Sequence, residues 1–292
     1  MPSIVIPILS SRRPDLRYCR SKDLPSEFYP SASRSMDINS PRSGRLSTPS
    51  RPVSYLHTSM GYASALEDAA KRRIIDLTHP LVPDGVPACP GHPRYTAEHT
   101  FKLSEGAFAN VHTLALGTHT GTHIDAPYHF YDDARPVDQL DLSLLAAAPA
   151  VIVDVRHKAA HEPITWADLE KYESGMREGT AVLLCTGWAS RFGRPDYSDH
   201  PFLDVDAARR VLDRGVRVIG ADTISPDEWR VEGGDTAMVH RVVLSTGGVI
   251  VENLCGLEKV IESGWSRPCV SLLPLNLVGC DGSPIRAVAW EG

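Results

Sequence analysis

The sequence predicts an α/β domain built around a largely buried sheet. Short apolar runs rich in β-branched residues recur at wide spacing, helix-compatible segments separate them, and Gly- and Pro-rich stretches mark the joints. Strands that alternate with helices bury a sheet on both faces. In chain order, residues 1–60 are dense in Ser, Pro and Arg and lack periodicity, so they are expected to be a disordered extension. Two readings of this segment stay open. Its Arg and Ser content resembles an organelle transit peptide, against which stand Asp15, Asp23, Glu27 and Asp37; alternatively, translation begins at Met60. Residues 61–292 are expected to form one catalytic domain. It opens with a helix over Ala63–Arg73, a strand at Ile74–Leu77 and a loop over Pro80–Pro93. Strands are predicted at Val151–Val155, Ala181–Cys185, Val216–Gly220 and Val249–Val251. Helices are predicted at Trp166–Met176, Asp204–Arg214 and Thr236–Leu244; Asp204 is placed as an N-cap, and Gly215 sits where a left-handed cap favours glycine. A last pair of strands, Val270–Val278 and Ile285–Trp290, flanks the turn signal Asp281-Gly282-Ser283.

Composition narrows the function. The net charge is -6, unevenly spread. Residues 1–60 carry nine Lys+Arg against four Asp+Glu; from totals of 30 and 36, the remainder carries 21 against 32. An acidic body argues against a nucleic-acid partner, which needs a basic face. No stretch approaches the roughly 20 apolar residues of a membrane helix. The six cysteines form no C-x-x-C pair, which fits reduced thiols in a cytoplasmic protein better than a disulfide framework or a zinc-thiolate site. G-x-G-x-x-G after a strand, Walker A and G-x-S-x-G are all absent from the sequence.

The chemistry concentrates in Leu116-Gly-Thr-His119-Thr-Gly-Thr-His123-Ile-Asp125-Ala-Pro-Tyr-His129-Phe130. His119, His123, Asp125 and His129 are separated by four, two and four positions. Even separations put side chains on one face of extended backbone. Gly121 and two threonines oppose a helix, and Pro127 interrupts one, so a strand bending into a loop is expected. Imidazole and carboxylate are the usual ligands of Zn²⁺ and Mn²⁺ in catalytic sites. Three ligands from one segment leave a coordination position for water, which a bound metal makes acidic enough to ionise near neutral pH.

This segment resembles the signature H-x-G-T-H-x-D-x-P-x-H of the metal-dependent cyclase family, which includes bacterial-type kynurenine formamidases, isatin hydrolases and polyketide cyclase-like proteins. Asp76-Leu-Thr-His-Pro80, Pro90-Gly91, Thr186-Gly187-Trp188, Asp222-Thr-Ile-Ser225-Pro-Asp227, His240-Arg-Val-Val-Leu, Val251-Glu252-Asn-Leu and the stretch from Leu273 to Pro284 resemble further family blocks in order. The resemblance spans about Ile74 to Trp290. It implies a swivelling β/β/α-type α/β fold with a mixed sheet. It implies metal ligands at His119, His123 and Asp125, an acid/base at His129, and a second set of ligands at His240 and Glu252, twelve positions apart. Asp125 and Glu252 would bridge two metals in formamidase-like members, whereas members similar to isatin hydrolase use one Mn²⁺. Asp222, Ser225 and Asp227 could orient ligands through hydrogen bonds or equally cap a strand end. The loop before Pro90 departs from the pattern: Cys89 stands where formamidases usually present an aromatic residue to the substrate ring, and a thiol cannot stack on a ring. Trp188 and Tyr128 are the candidates for an aromatic wall.

The expected activity is hydrolysis of an amide, formamide or cyclic amide in a small molecule, with Zn²⁺ or Mn²⁺ as cofactor, one or two per chain. The resemblance also implies a homo-oligomer, a dimer or tetramer. Two alternatives remain: cyclisation or dehydration of a polyketide-like metabolite at the same metal, and a non-enzymatic metal-binding relative.

Overall fold

The computed structural model describes residues 73–86, 92–229 and 237–292. The 1–60 extension, most of the helix expected at Ala63–Arg73, Cys89 and Pro90-Gly91 lie outside the described residues. Thirteen strands are described: β1 (Ile75–Asp76), β2 (Thr96–Phe101), β3 (Val111–Ala115), β4 (His123–Asp125), β5 (Ala148–Asp154), β6 (Pro163–Ile164), β7 (Ala181–Cys185), β8 (Phe202–Leu203), β9 (Val218–Ala221), β10 (Val249–Glu252), β11 (Pro268–Ser271), β12 (Gly282–Pro284) and β13 (Val288–Glu291). The α-helices are α1 (Trp166–Leu169), α2 (Val205–Asp213), α3 (Met238–Ser245) and α4 (Leu257–Glu262).

Nine strands form one mixed sheet in the order β1-β13-β11-β5-β7-β9-β10-β4-β12. Its centre, β5-β7-β9-β10, is parallel; its flanks are antiparallel, with β4 on β10 and β12 on β4 at one side and β11 on β5 at the other. This is the α/β class with a mixed sheet that the sequence predicts. The central strands are mainly apolar, with Asp154 and Glu252 at the ends of β5 and β10, because both faces are covered. Along β7, Ala181, Leu183 and Cys185 enter one core, and Val182 and Leu184 the other. The second core is roofed by α2 and α3.

Helix α2 shows how local chemistry sets such an element. Its N-terminal amides at Asp206 and Ala207 donate to the Asp204 carboxylate at 3.0 and 3.1 Å, a cap of about 1 kcal/mol. Ala207, Ala208, Val211 and Leu212 face the core. After it, Gly215 takes φ +88°, where a Cβ would press on the Glu178 backbone. Both caps stand where the sequence places them.

Two elements differ from expectation. The α1 helix ends at Leu169 and continues as 3₁₀ turns through Gly175; there the Tyr172 hydroxyl swings in to accept the Asp154 amide at 3.0 Å. The strand expected over Val270–Val278 stops at Ser271, and only an isolated bridge joins Pro274 to Ile285, since proline gives the ladder no donor. The partner expected over Ile285–Trp290 does form, as β13, and pairs antiparallel with β11. Among the described residues, no helix is long and apolar enough to cross a membrane.

Candidate metal centre

Strand β4 carries His123 and Asp125 on one face and sends Ile124 into the core. Antiparallel pairing sets Glu252, the last residue of β10, opposite His123. Period-two alternation puts Asp125, His123 and Glu252 on the same side of the sheet. His119 does not belong to the strand, contrary to the extended reading of the segment. It reaches the site through a turn in which Gly121 holds φ +63°, and a Cβ there would collide with Leu81 Cδ2. Pro127–His129 then forms a single 3₁₀ turn that delivers His129, the bend the sequence places at Pro127. His240 comes from the buried face of α3.

These side chains converge. His119 Nδ1 lies 2.6 Å from Asp125 Oδ1. His123 Nε2 is 3.3 Å from both Asp125 Oδ1 and Glu252 Oε2. His240 Nε2 is 3.4 Å from Asp125 Oδ2 and 3.2 Å from Glu252 Oε1. Each carboxylate therefore faces two imidazoles or more. Yet His123 Nε2, Asp125 Oδ2 and Glu252 Oε1 are buried without a hydrogen-bond partner among the described residues. Leaving buried polar atoms unanswered costs about 1–3 kcal/mol each. Three such atoms, nitrogen and oxygen donors on facing side chains, fit a divalent cation. His119, His123 and Asp125 form one group able to share an ion, and Asp125, His240 and Glu252 form another.

The electrostatics agree. Burial alone would lower the His119 and His123 pKa values, but the facing carboxylates overcome it and raise them to about 9 and about 10. His240 is raised in the same way by Asp125, Asp227 and Glu252 against the penalty of burial. Burial would raise Asp125, and the imidazoles of His123 and His119 hold it well below the usual carboxylate range. The pocket thus draws positive charge to its centre.

Hydrogen bonds around the centre fix these side chains, as outer partners do at metal sites. Asp227 accepts from the Val239 and His240 amides at 2.6 and 3.0 Å and lies 2.6 Å from His240 Nδ1. One carboxylate caps α3 and turns His240 Nε2 inward. Ser225 Oγ in turn accepts the Asp227 amide at 3.2 Å. His123 Nδ1 donates to the Gly121 carbonyl at 2.8 Å, and Asn253 Nδ2 donates to the same oxygen at 3.0 Å. Asn253, itself at φ 56°, accepts from the Tyr197 hydroxyl at 2.7 Å.

Asp222 takes no part in this shell. It accepts from Thr186 N and Oγ1 at 2.9 and 2.5 Å and from Gly187 N at 2.8 Å, stitching the end of β9 to that of β7. Trp188 is likewise elsewhere: its ring is buried beneath the Arg191 guanidinium, 4.2 Å away, and lines a separate cavity with Arg156 and Lys158. The cavity over the ligands, about 280 Å³, has Phe130, Ile224 and Trp229 as its apolar wall, with His129 and Ser225 on the same lining. An aromatic lining exists, from residues other than Trp188 and Tyr128.

One residue of the site has no counterpart among those singled out by sequence. Asp281 Oδ2 lies 2.8 Å from His119 Nε2 and 3.0 Å from His129 Nδ1, and its Oδ1 accepts from Thr118 Oγ1 at 2.9 Å. In the sequence Asp281 reads as the first residue of a turn. The signal lay in register: β12 pairs with β4, setting Gly282 opposite Asp125. A Cβ at Gly282 would stand 2.8 Å from the Ile124 carbonyl and 3.0 Å from His119 Cε1, so glycine is what lets Asp281 approach.

A histidine-carboxylate centre set between a parallel sheet and its antiparallel flank defines a class of metal-site α/β proteins, and the comparisons place the chain within it. Residues 75–228 match the family model described as putative cyclase. The kynurenine formamidase of Bacillus mycoides (strain KBAB4) is 34% identical over 218 residues, which cover 73% of this chain and 95% of that protein. The kynurenine formamidase of Geobacillus thermodenitrificans (strain NG80-2) is 31% identical over 214 residues, with the same coverage. The chain belongs to the cyclase family. Among solved structures, isatin hydrolase A from Ralstonia solanacearum superposes with a TM-score of 0.70 at 22% identity, covering 84% of this chain and all of that one. A potential metal-dependent hydrolase with cyclase activity gives 0.60 at 25% identity, covering 76% and 98%.

Proposed function

We propose that this chain is a metal-dependent hydrolase of a non-peptide amide in a small molecule, either an aryl formamide or a cyclic amide. The observation that carries the reading is the set of orphaned buried atoms on His123, Asp125 and Glu252, at the foot of a cavity that His129 lines. The kynurenine formamidase relatives support the formamide, and the isatin hydrolase likeness in fold is compatible with the cyclic amide. His119, His123, Asp125, His240 and Glu252 would hold zinc or manganese, one ion or two per chain. When bound, such an ion polarises a carbonyl and brings water within reach of ionisation at neutral pH. Phe130, Ile224 and Trp229 hold the apolar body of the substrate. His129 takes a proton from the attacking water as the carbon–oxygen bond forms, then returns it to the nitrogen as the carbon–nitrogen bond breaks.

Metal content per chain, measured beside turnover of N-formylkynurenine and isatin, tests the reading. Close to two metals with formamide hydrolysis is the expected result. Failure to bind zinc or manganese even after reconstitution would reject it. His129→Ala should lower kcat about 10²–10⁴-fold with metal content unchanged; loss of metal with preserved turnover per metal would remove His129 from the acid/base role. By analogy with the family we also propose a cytoplasmic homo-oligomer, a dimer or tetramer. The β2–β3 hairpin supports association, since it exposes Phe101, Leu103, Leu114 and Phe108, the last 90% exposed. Light scattering that found a monomer would reject this part.

A further inference from the structure

We propose that Asp281 positions His129 for proton transfer by accepting its Nδ1 proton, which leaves Nε2 bare as the base. The inference rests on the acid/base role given to His129 above. A neutral imidazole carries one proton, and free imidazole side chains favour Nε2 as its place. A base with Nε2 turned to the substrate needs the opposite tautomer, and some partner must hold the proton on Nδ1. Asp281 is that partner by geometry, with Oδ2 3.0 Å from His129 Nδ1. His129 Nε2 makes no hydrogen bond among the described residues, and the ring lines the cavity.

Three features hold Asp281 to this task. Thr118 Oγ1 donates to Oδ1 at 2.9 Å and fixes the plane of the carboxylate. His119 Nε2 shares Oδ2 at 2.8 Å, so one oxygen keeps both rings in register, at 4.1 Å between centroids. Gly282 removes the Cβ that would push the turn away from His119. In the reaction Asp281 neither gains nor loses a proton. It accepts the Nδ1–H bond throughout and strengthens that bond while His129 carries a second proton and a positive charge. Asp281 therefore acts through His129 as a positioning residue.

The test uses the full-length chain loaded with zinc, in wild-type, Asp281→Ala and Asp281→Asn forms. Nitrogen-15 NMR of the imidazoles reads the tautomer without any substrate, with His129 identified by the signals lost in His129→Asn. The wild type should carry the proton on Nδ1, and Asp281→Ala should move it to Nε2. Asp281→Asn should keep it on Nδ1, because the amide can turn its oxygen to the histidines and give its NH₂ to Thr118. With formanilide as substrate and zinc in saturating excess, Asp281→Ala should lower kcat about 10²–10³-fold, and Asp281→Asn about tenfold, with KM and zinc per chain within about twofold of wild type; the zinc affinity of Asp281→Ala should weaken about 10–100-fold, because His119 loses a partner. A wild-type proton on Nε2 would overturn the proposal. So would loss of zinc from Asp281→Ala in step with activity, which would make Asp281 a ligand. If wild-type enzyme turns over no formamide or lactam, the proposed function fails, while the NMR result still decides the role of Asp281.

Discussion

Asp222 and Glu252 end adjacent parallel strands, β9 and β10, and both carboxylates are buried. Their surroundings differ in kind. Asp222 receives two amides and a hydroxyl, and every one of those donors is local to the Thr186-Gly187 turn. Among the described residues Glu252 receives no backbone donor; it faces two imidazoles, and its Oε1 has no hydrogen-bond partner there. A buried charge that its own fold satisfies holds structure together. One that the fold leaves unsatisfied awaits a ligand. Burial alone does not separate the two, but the donor list does.

The comparison can be broken at either carboxylate. Glu252→Gln is expected to have the largest effect: metal affinity should fall by more than about 100-fold, beyond what removing an outer-shell partner costs, and turnover should fall with it. Calorimetric titration of the metal-free variant with Zn²⁺ reads this, and unchanged affinity would place Glu252 outside the centre. Asp222→Ala should do the reverse. It strands the Thr186 and Gly187 amides, at about 1–3 kcal/mol each, so denaturant unfolding should show a loss of about 2–6 kcal/mol while metal per folded chain stays at the wild-type value.

Asp222 also predicts a pH signature. Burial raises its pKa from 3.8 to about 6, against the lowering by Thr186 and Gly187. The folded state thus holds this proton more tightly than the unfolded chain does. Its contribution to stability is full below about pH 4 and is lost as pH rises to about 6, roughly 3 kcal/mol over that window. Stability measured from pH 4 to 7 should fall less steeply in Asp222→Asn than in wild type; equal slopes would count against the raised pKa. The smallest effect is expected at Asn253→Gly, which keeps the positive φ but removes the bond to the Gly121 carbonyl. Zinc affinity should weaken about 10–100-fold, and the stranded Tyr197 hydroxyl should cost about 1–3 kcal/mol of stability; a variant that binds zinc as wild type does would show that His123 needs no such brace.

Much of the centre was legible because its ligands sit close together in sequence. The even spacing of His123 and Asp125 is strand chemistry, and the structure puts both on β4. The same spacing misreads His119, which arrives by the left-handed turn at Gly121. Asp204 and Gly215 were readable because caps are local. Asp281 was not, because it meets His129 across 152 residues, through a strand pairing that no local pattern encodes. Trp188 failed for a related reason. The segment Thr186-Gly187-Trp188 is placed by Asp222 on the β7–β9 side, and the direction of a side chain after a turn depends on that tertiary anchor. Asp227 and Asp222 stand five positions apart in one recognisable block, yet one orients His240 and the other does not.

The position of β4 between β10 and β12 also bears on how the protein reaches its folded state. Closing the centre means joining segments more than a hundred residues apart, and such long-range pairings form slowly. On the proposed function, His119, His123 and Asp125 stay near one another in the unfolded chain and would compete there for the metal, so that metal would stabilise the native protein by less than its affinity for the finished site implies.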